Sequence, residues 1–285
     1  LKRYWLRPSR LWGNNMFVDS HCHLNFPELK SQIKDIRAAM ATAKVTHAMV
    51  ISTTLEEFPS VHEMATTYDN FWATVGVHPD NETLEGGVPI QEPTVEDLLT
   101  RAAFPKVVGI GETGLDYYRL NGRTVADMEW QRERFRVHIR AAQACHKPLI
   151  IHTRSSSDDT IAILKEMKED GHAGAAGGVF HCFTETTVVA KAALDLGFYI
   201  SFSGILTFKN AQAIRDAAAF VPLDRMLIET DSPYLAPTPY RGKTNTPAYV
   251  PYVATELARI KAAPVEQIAQ ITGDNYFRLF KGAVR

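Results

Sequence analysis

Short apolar runs recur along the chain, and most are followed by a segment in which apolar residues return every three or four positions. The runs at residues 16–20, 47–53, 71–77, 107–111, 148–151, 178–180, 198–202 and 225–228 predict eight strands. They lack strict alternation, which predicts strands covered on both faces, as in a parallel sheet. Helical spacing marks Ile33-Ile36-Arg37-Met40, Leu98-Leu99, residues 130–144, Ile161-Ile163-Leu164-Met167 and residues 188–196. Strand and helix alternating over roughly 270 residues predict an α/β fold, a single (β/α)8 barrel of the TIM type. Proline-rich residues 232–251 predict a long loop before a terminal helix over 252–261. There is no internal repeat and no linker between domains, so residues 16–285 are expected to form one domain.

Composition narrows the partners. The chain has 285 residues, with 31 Lys+Arg against 32 Asp+Glu and a formal charge of −1. That balance argues against a protein gripping nucleic acid over a broad basic face, though a hydrolase needs only a few phosphate contacts and a metal can supply positive charge. The three cysteines, Cys22, Cys145 and Cys182, form no CxxC pair, which predicts free thiols in a reducing cytoplasm. No run of about 18 apolar residues marks a membrane span, and no obligate protein partner is evident. Residues 1–15 stand apart: Lys2, Arg3, Arg7 and Arg10 with Tyr4, Trp5 and Trp12 read as an extension outside the fold, or as a basic arm for an acidic partner.

The chemistry sits where the predicted strands end, the rim that carries function in such barrels. His21, His23, His78, Glu112, His152, His181 and Asp231 all fall there. In His21-Cys22-His23 the two imidazoles share a strand face and can share a metal, while Cys22 points outward; Asp19 has the same parity and is expected to orient one ring. Glu112 stands among Gly109, Gly111 and Gly114, which permit close approach around one carboxylate, and its two oxygens can bridge two cations. His152 and His181 each end an apolar strand. Arg154 shares the parity of His152, suiting an anionic substrate or a salt bridge to Asp116 or Glu229. Glu229 and Asp231 share parity too, and such a pair needs positive charge nearby. Asp231 can combine metal ligation with a general-base role.

Taken in order, VDSHCHL (18–24), VGVHPD (75–80), GIGETGLDYY (109–118), PLIIHTR (148–154), GVFHCF (178–183) and LIETDSPYLAP (227–237) resemble the amidohydrolase-type metal barrels, and more closely the TatD-type deoxyribonuclease family. The resemblance covers nearly the whole chain from Met16. It implies a two-metal hydrolase cleaving DNA phosphodiester bonds, often from the 3′ end. One cation is then held by His21, His23, Glu112 and Asp231, and the other by Glu112, His152 and His181. A water activated by the cations attacks, Asp231 takes its proton, and Arg154 steadies phosphate charge. His78 holds a phosphate or protonates the departing oxygen. Tyr117 and Tyr118 are expected to stack on bases of single strands or frayed ends, or else to pack within the loop. Lys209 and Arg241 are further phosphate candidates by loop position. The donor set suits zinc, manganese, iron or cobalt better than magnesium, which family members nonetheless use in assays. Two other readings share these features: a hydrolase of the same superfamily acting on a D-aminoacyl-tRNA ester, a lactone or an amide, and a non-catalytic protein with a structural metal.

Overall fold

Eight strands pair in parallel and in sequential order: β1 (Phe17–Cys22), β2 (Val45–Val50), β3 (Phe71–Val75), β4 (Val107–Asp116), β5 (Leu149–Arg154), β6 (Gly178–Phe180), β7 (Tyr199–Phe202) and β8 (Met226–Ile228). This is a computed structural model describing residues 16–169 and 177–285; the basic stretch before Met16 lies outside the described residues. The ring is drawn together between β8 and β1. The Ser20 hydroxyl donates to Ile228 O at 3.0 Å, and beyond β8 the amides of Asp231 and His23 donate to His21 O and Ser232 O at 2.9 and 2.8 Å. The alternation of strand and helix therefore does build a (β/α)8 barrel.

Parallel neighbours need long crossovers, and helices supply them. These are α1 (Pro27–Lys30), α2 (Ile33–Ala43), α3 (Phe58–Thr67), α4 (Val95–Ala102), α5 (Glu129–Cys145), α6 (Ser157–Glu169), α7 (Thr187–Asp195) and α8 (Gln212–Phe220), with α9 (Val250–Lys261) and α10 (Val265–Leu279) after β8. None of the described helices is long and apolar enough to cross a membrane. Their apolar faces meet the outer faces of the strands, where Phe17, Val50, Phe135, Ile151 and Leu257 are buried together.

A second apolar layer fills the barrel itself. Each strand gives it one residue or more: Val18, Met49, Trp72, Val108, Ile150, Val179, Tyr199 and Leu227, mostly at the first or second strand position. Tyr276 and Phe280 at the end of α10 complete this layer and plug the N-terminal end of the barrel. The opposite rim is left for polar side chains. The hydrophobic pattern gave no sign of α10, because its buried face includes Thr272, Gly273 and Asn275 among the apolar residues.

Several strands also run past their apolar stretches. β1 reaches Cys22, β4 reaches Asp116 and β5 reaches Arg154, so His21, Glu112 and His152 stand on strands rather than in loops. Ladder hydrogen bonding is a property of the backbone and does not stop where side chains turn polar.

One buried histidine braces the rim from α5. His138 donates from Nδ1 to Arg134 O at 2.8 Å and accepts the Val77 amide at Nε2 at 3.0 Å, next to His78. Burial pushes its pKa down from 6.5 to about 4. An unfolded chain protonates this ring first, so its contribution is whole above the unfolded pKa and is lost as pH falls toward the folded one. The slope there is about 1.4 kcal/mol per pH unit. His138→Gln is expected to be less stable near neutrality and to lose less stability on acidification than the parent, as read by urea unfolding at about pH 7 and about pH 5.

Candidate metal centre

A local irregularity in β1 turns the first two histidines inward. Val18 belongs to the inner layer, whereas Phe17 and Cys22 face the helices. On a regular strand residues 18 and 22 would share a face. The register with β2 slips between Asp19 and Cys22, and that slip inverts the parity. Cys22 consequently points outward, its thiol donating to Met49 O at 3.2 Å. Asp19 falls on the other side of the slip, which corrects its expected role. Its carboxylate accepts the Thr230 amide and hydroxyl at 2.9 and 2.5 Å and the His21 amide at 3.3 Å, so it ties the β1–β8 backbone and orients no ring.

Glycines place the central carboxylate. β4 shifts register against β5 between Ile110 and Thr113, around Glu112. A Cβ on Gly111 would lie 2.7 Å from Ile150 Cβ, and one on Gly114 would lie 2.0 Å from His152 O. Both glycines also have positive φ, 151° and 133°. Only glycine allows β4 and β5 to close up on either side of Glu112.

The two oxygens of Glu112 face different sets of imidazoles. Oε2 lies 3.3 Å from His21 Nε2 and 3.8 Å from His23 Nε2; Asp231 Oδ1 completes this side at 3.4 Å from His23 Nε2 and 3.6 Å from His21 Nε2. Oε1 lies 2.7 Å from His181 Nε2, 3.1 Å from His152 Nδ1 and 3.4 Å from His78 Nε2. Three overlapping groups have ligand-competent atoms all within 4.8 Å of one another: His21, His23 and Asp231; His21, Glu112 and His181; and His78, Glu112 and His152.

Two further carboxylates, Glu229 and Asp116, stand behind these rings. Glu229 Oε1 lies 3.3 Å from His181 Nδ1 and accepts the Cys182 amide at 2.7 Å. Asp116 Oδ2 lies 3.0 Å from His152 Nε2. Their signal was parity, since Asp116 is four residues from Glu112 and Glu229 two from Asp231. A carboxylate holding one ring nitrogen fixes the tautomer and leaves the other nitrogen's lone pair for a cation. Glu229→Gln is accordingly expected to weaken cation binding by about 10- to 100-fold, measured by competition with a metal-sensitive dye.

Electrostatics fits a bound cation. Glu112, Asp116, Glu229 and Asp231 pair only with imidazoles among the described residues; no Lys or Arg reaches them. Burial alone would raise the Glu112 carboxyl, but His181, His78 and His152 outweigh it and hold it well below the usual range. Burial likewise works against the charged form of His181, yet Glu112 and Glu229 on its two sides push its pKa well up. Burial and the neighbouring His181 lower His21, favouring a neutral ring with a lone pair to offer. The Nδ1 atoms of His21 and His23 have no hydrogen-bond partner. Such buried negative charge calls for a positive centre at the same place.

His78 differs from the other rings. The Asp80 amide donates to its Nδ1 at 3.0 Å, so a neutral ring carries its proton on Nε2, facing Glu112. That nitrogen donates a hydrogen bond and has no lone pair for a metal. Burial pushes its pKa down to about 3, against the pull of the Glu112 carboxylate.

Above the cluster opens a cleft of about 690 Å³. Arg154 lines it, its guanidinium 3.7 Å from the centre of the Tyr118 ring. Asp116 and Glu229 are engaged by imidazoles, so the salt-bridge alternative for Arg154 is not realised. Tyr117 is only 7% exposed and its hydroxyl donates to Asp159 at 2.7 Å, which leaves no face open to a base. Arg241 stacks on Phe208 at 3.8 Å, and neither it nor Lys209 is among the residues lining the cleft.

Relatives agree with this picture. The chain is 46% identical over 267 residues to the uncharacterized metal-dependent hydrolase YcfH of Escherichia coli K12, covering 92% of this chain and 95% of that protein. It is 39% identical over 269 residues to the uncharacterized metal-dependent hydrolase YabD of Bacillus subtilis, covering 93% and 99%. Fold, donor set and relatives define a metal-dependent hydrolase. The crystal structure of YjjV, a TatD homolog from E. coli K12, superposes with a TM-score of 0.81 at 28% identity, covering 93% of this chain and 98% of that one. The family described as TatD related DNase matches residues 18–281, and the chain belongs to it.

Proposed function

We propose that this chain hydrolyses phosphodiester bonds of DNA, working from strand ends, with two divalent cations held on either side of Glu112. The division of the Glu112 oxygens between two imidazole sets carries this reading. His21, His23, Asp231 and Oε2 would hold one cation; Oε1, His152 and His181 would hold the other. Bound there, divalent cations lower the pKa of an attacking water and offset charge gathering on the phosphate. The imidazole-rich donor set suits zinc, manganese, iron or cobalt better than magnesium. The three cysteines are unpaired, which suits the reducing cytoplasm expected for them.

The remaining steps belong to the chain's own residues. Asp231 stands at the open edge of the cluster and accepts the proton of the attacking water. Its carboxyl lies below the usual range despite burial, because the imidazoles of His23, His21 and His181 stand around it. It is therefore ionised and ready as a base near neutrality. His78 donates from Nε2 to a non-bridging phosphate oxygen. Arg154, steadied by Tyr118, pairs with the neighbouring phosphate through its planar fork. Arg154→Ala is expected to raise KM for an oligonucleotide about tenfold with little change in kcat, and to flatten the salt dependence of log KM by about 0.7.

The test is to strip the protein with a chelator and incubate it with 5′- and 3′-labelled single- and double-stranded DNA, adding manganese, magnesium or zinc. Metal-dependent shortening from an end supports the proposal. Silence on DNA with turnover of an aminoacyl-tRNA or a lactone transfers the same site to a different bond.

A further inference from the structure

The cleft has two unlike walls. Arg154 is the one Lys or Arg among its described lining residues, and it stands at the end of β5, beside β4. Across the barrel, where β1 and β8 end, the wall is apolar and aromatic: Phe26 and Tyr234, continued by Ile205 and Leu235. Phe26 lies three residues after His23 and stacks on its ring, with centroids 4.8 Å apart at 22°. Tyr234 lies three residues after Asp231 and meets Phe26 edge to face at 6.4 Å and 74°.

Tyr234 is exposed, yet its backbone is fixed. The residue keeps 54% of its accessible surface while its amide donates to Asp231 O at 3.0 Å. The buried Asn245 amide group donates to Thr230 O at 2.9 Å and to Tyr234 O at 2.7 Å. An aromatic ring presented by a pinned loop loses little freedom when a ligand docks on it. Its surroundings select the kind of ligand. No Lys or Arg is among the described residues lining this side. Phosphate is not drawn to such a wall, whereas a flat uncharged ring is. Of the two tyrosines suggested by the sequence, Tyr117 is buried, and Tyr118 is exposed but carries Arg154 on one face and is not among the residues lining the cleft.

Resting on the nuclease reading above, we propose that Tyr234 and Phe26 form a subsite for the nucleobase next to the scissile phosphodiester. The base stacks on this wall, its phosphate lies over Glu112, and the strand continues toward Arg154. A base paired within a duplex has both faces taken up by stacking, so the subsite selects single strands and frayed ends.

The experiment compares a labelled single-stranded oligonucleotide with the same strand built of abasic tetrahydrofuran units, using manganese-loaded wild type, Tyr234→Ala and Phe26→Leu. The wild type is expected to show a KM about tenfold lower for the base-bearing strand. Tyr234→Ala is expected to erase most of that difference, raising KM on the base-bearing strand about tenfold and far more than on the abasic strand; Phe26→Leu shifts it the same way and less. As a spectroscopic check, 2-aminopurine in the strand is quenched on binding to Asp231→Asn protein, and the quench disappears when Tyr234→Ala is added. Wild-type preference and quench in both Tyr234→Ala and Phe26→Leu, in protein that cuts DNA, overturn the subsite alone. Failure of the wild type to cut either strand, while it still hydrolyses another ester, overturns the nuclease reading and the subsite with it.

Discussion

Glu112→Ala is expected to lose bound cations and at least about 10³-fold in kcat/KM, roughly 4 kcal/mol of transition-state stabilisation. The loss is large because one side chain serves both halves of the cluster, Oε2 toward His21 and His23 and Oε1 toward His181 and His152. No neighbour can replace it, since Gly111 and Gly114 flank it with backbone and Asp231 faces one half only. The fold should persist, because the two apolar layers of the barrel do not involve Glu112. Elemental analysis after dialysis, with circular dichroism as the folding control, reads this directly. Unchanged metal content in folded Glu112→Ala would remove the bridging role.

Asp231→Asn separates base from ligand more gently. Asp231 has a φ of 56°, a left-handed conformation that Asn also tolerates, so the substitution keeps the backbone and changes only the charge. The expected loss in kcat is about 10²- to 10⁴-fold, the range for a positioned general base. The pH profile is the sharper readout. In the Asn variant the residual rate should climb with pH, because solvent hydroxide must replace the missing base. A variant retaining more than about a third of the parent rate would show that Asp231 takes no proton.

Much of this was legible in the chain. Eight apolar runs were enough for the barrel, and the polar residues closing those runs, from His21 to Asp231, do converge on one rim. What stayed hidden depended on backbone detail. Parity counting assumes an unbroken strand, and the slip between Asp19 and Cys22 sent Asp19 to Thr230 rather than to an imidazole. Counting outward from an apolar run also stops too early. β4 continues to Asp116, which is why the carboxylate behind His152 was weighed only as a partner for Arg154. The tautomer of His78 follows from the Asp80 amide, a contact no residue pattern encodes. The aromatic wall is hard to see for a related reason, since Phe26 and Tyr234 are more than two hundred positions apart and meet only because β1 and β8 are neighbours.

The most direct measurement is a titration of chelator-stripped protein with manganese, counting bound ions by mass spectrometry while following cleavage of an end-labelled oligonucleotide in the same samples. Cleavage that rises with occupancy and levels off at two ions per chain is the expected result. Full cleavage with essentially no bound metal, or saturated metal sites with no hydrolysis of any phosphodiester, would contradict a two-cation nuclease built around Glu112.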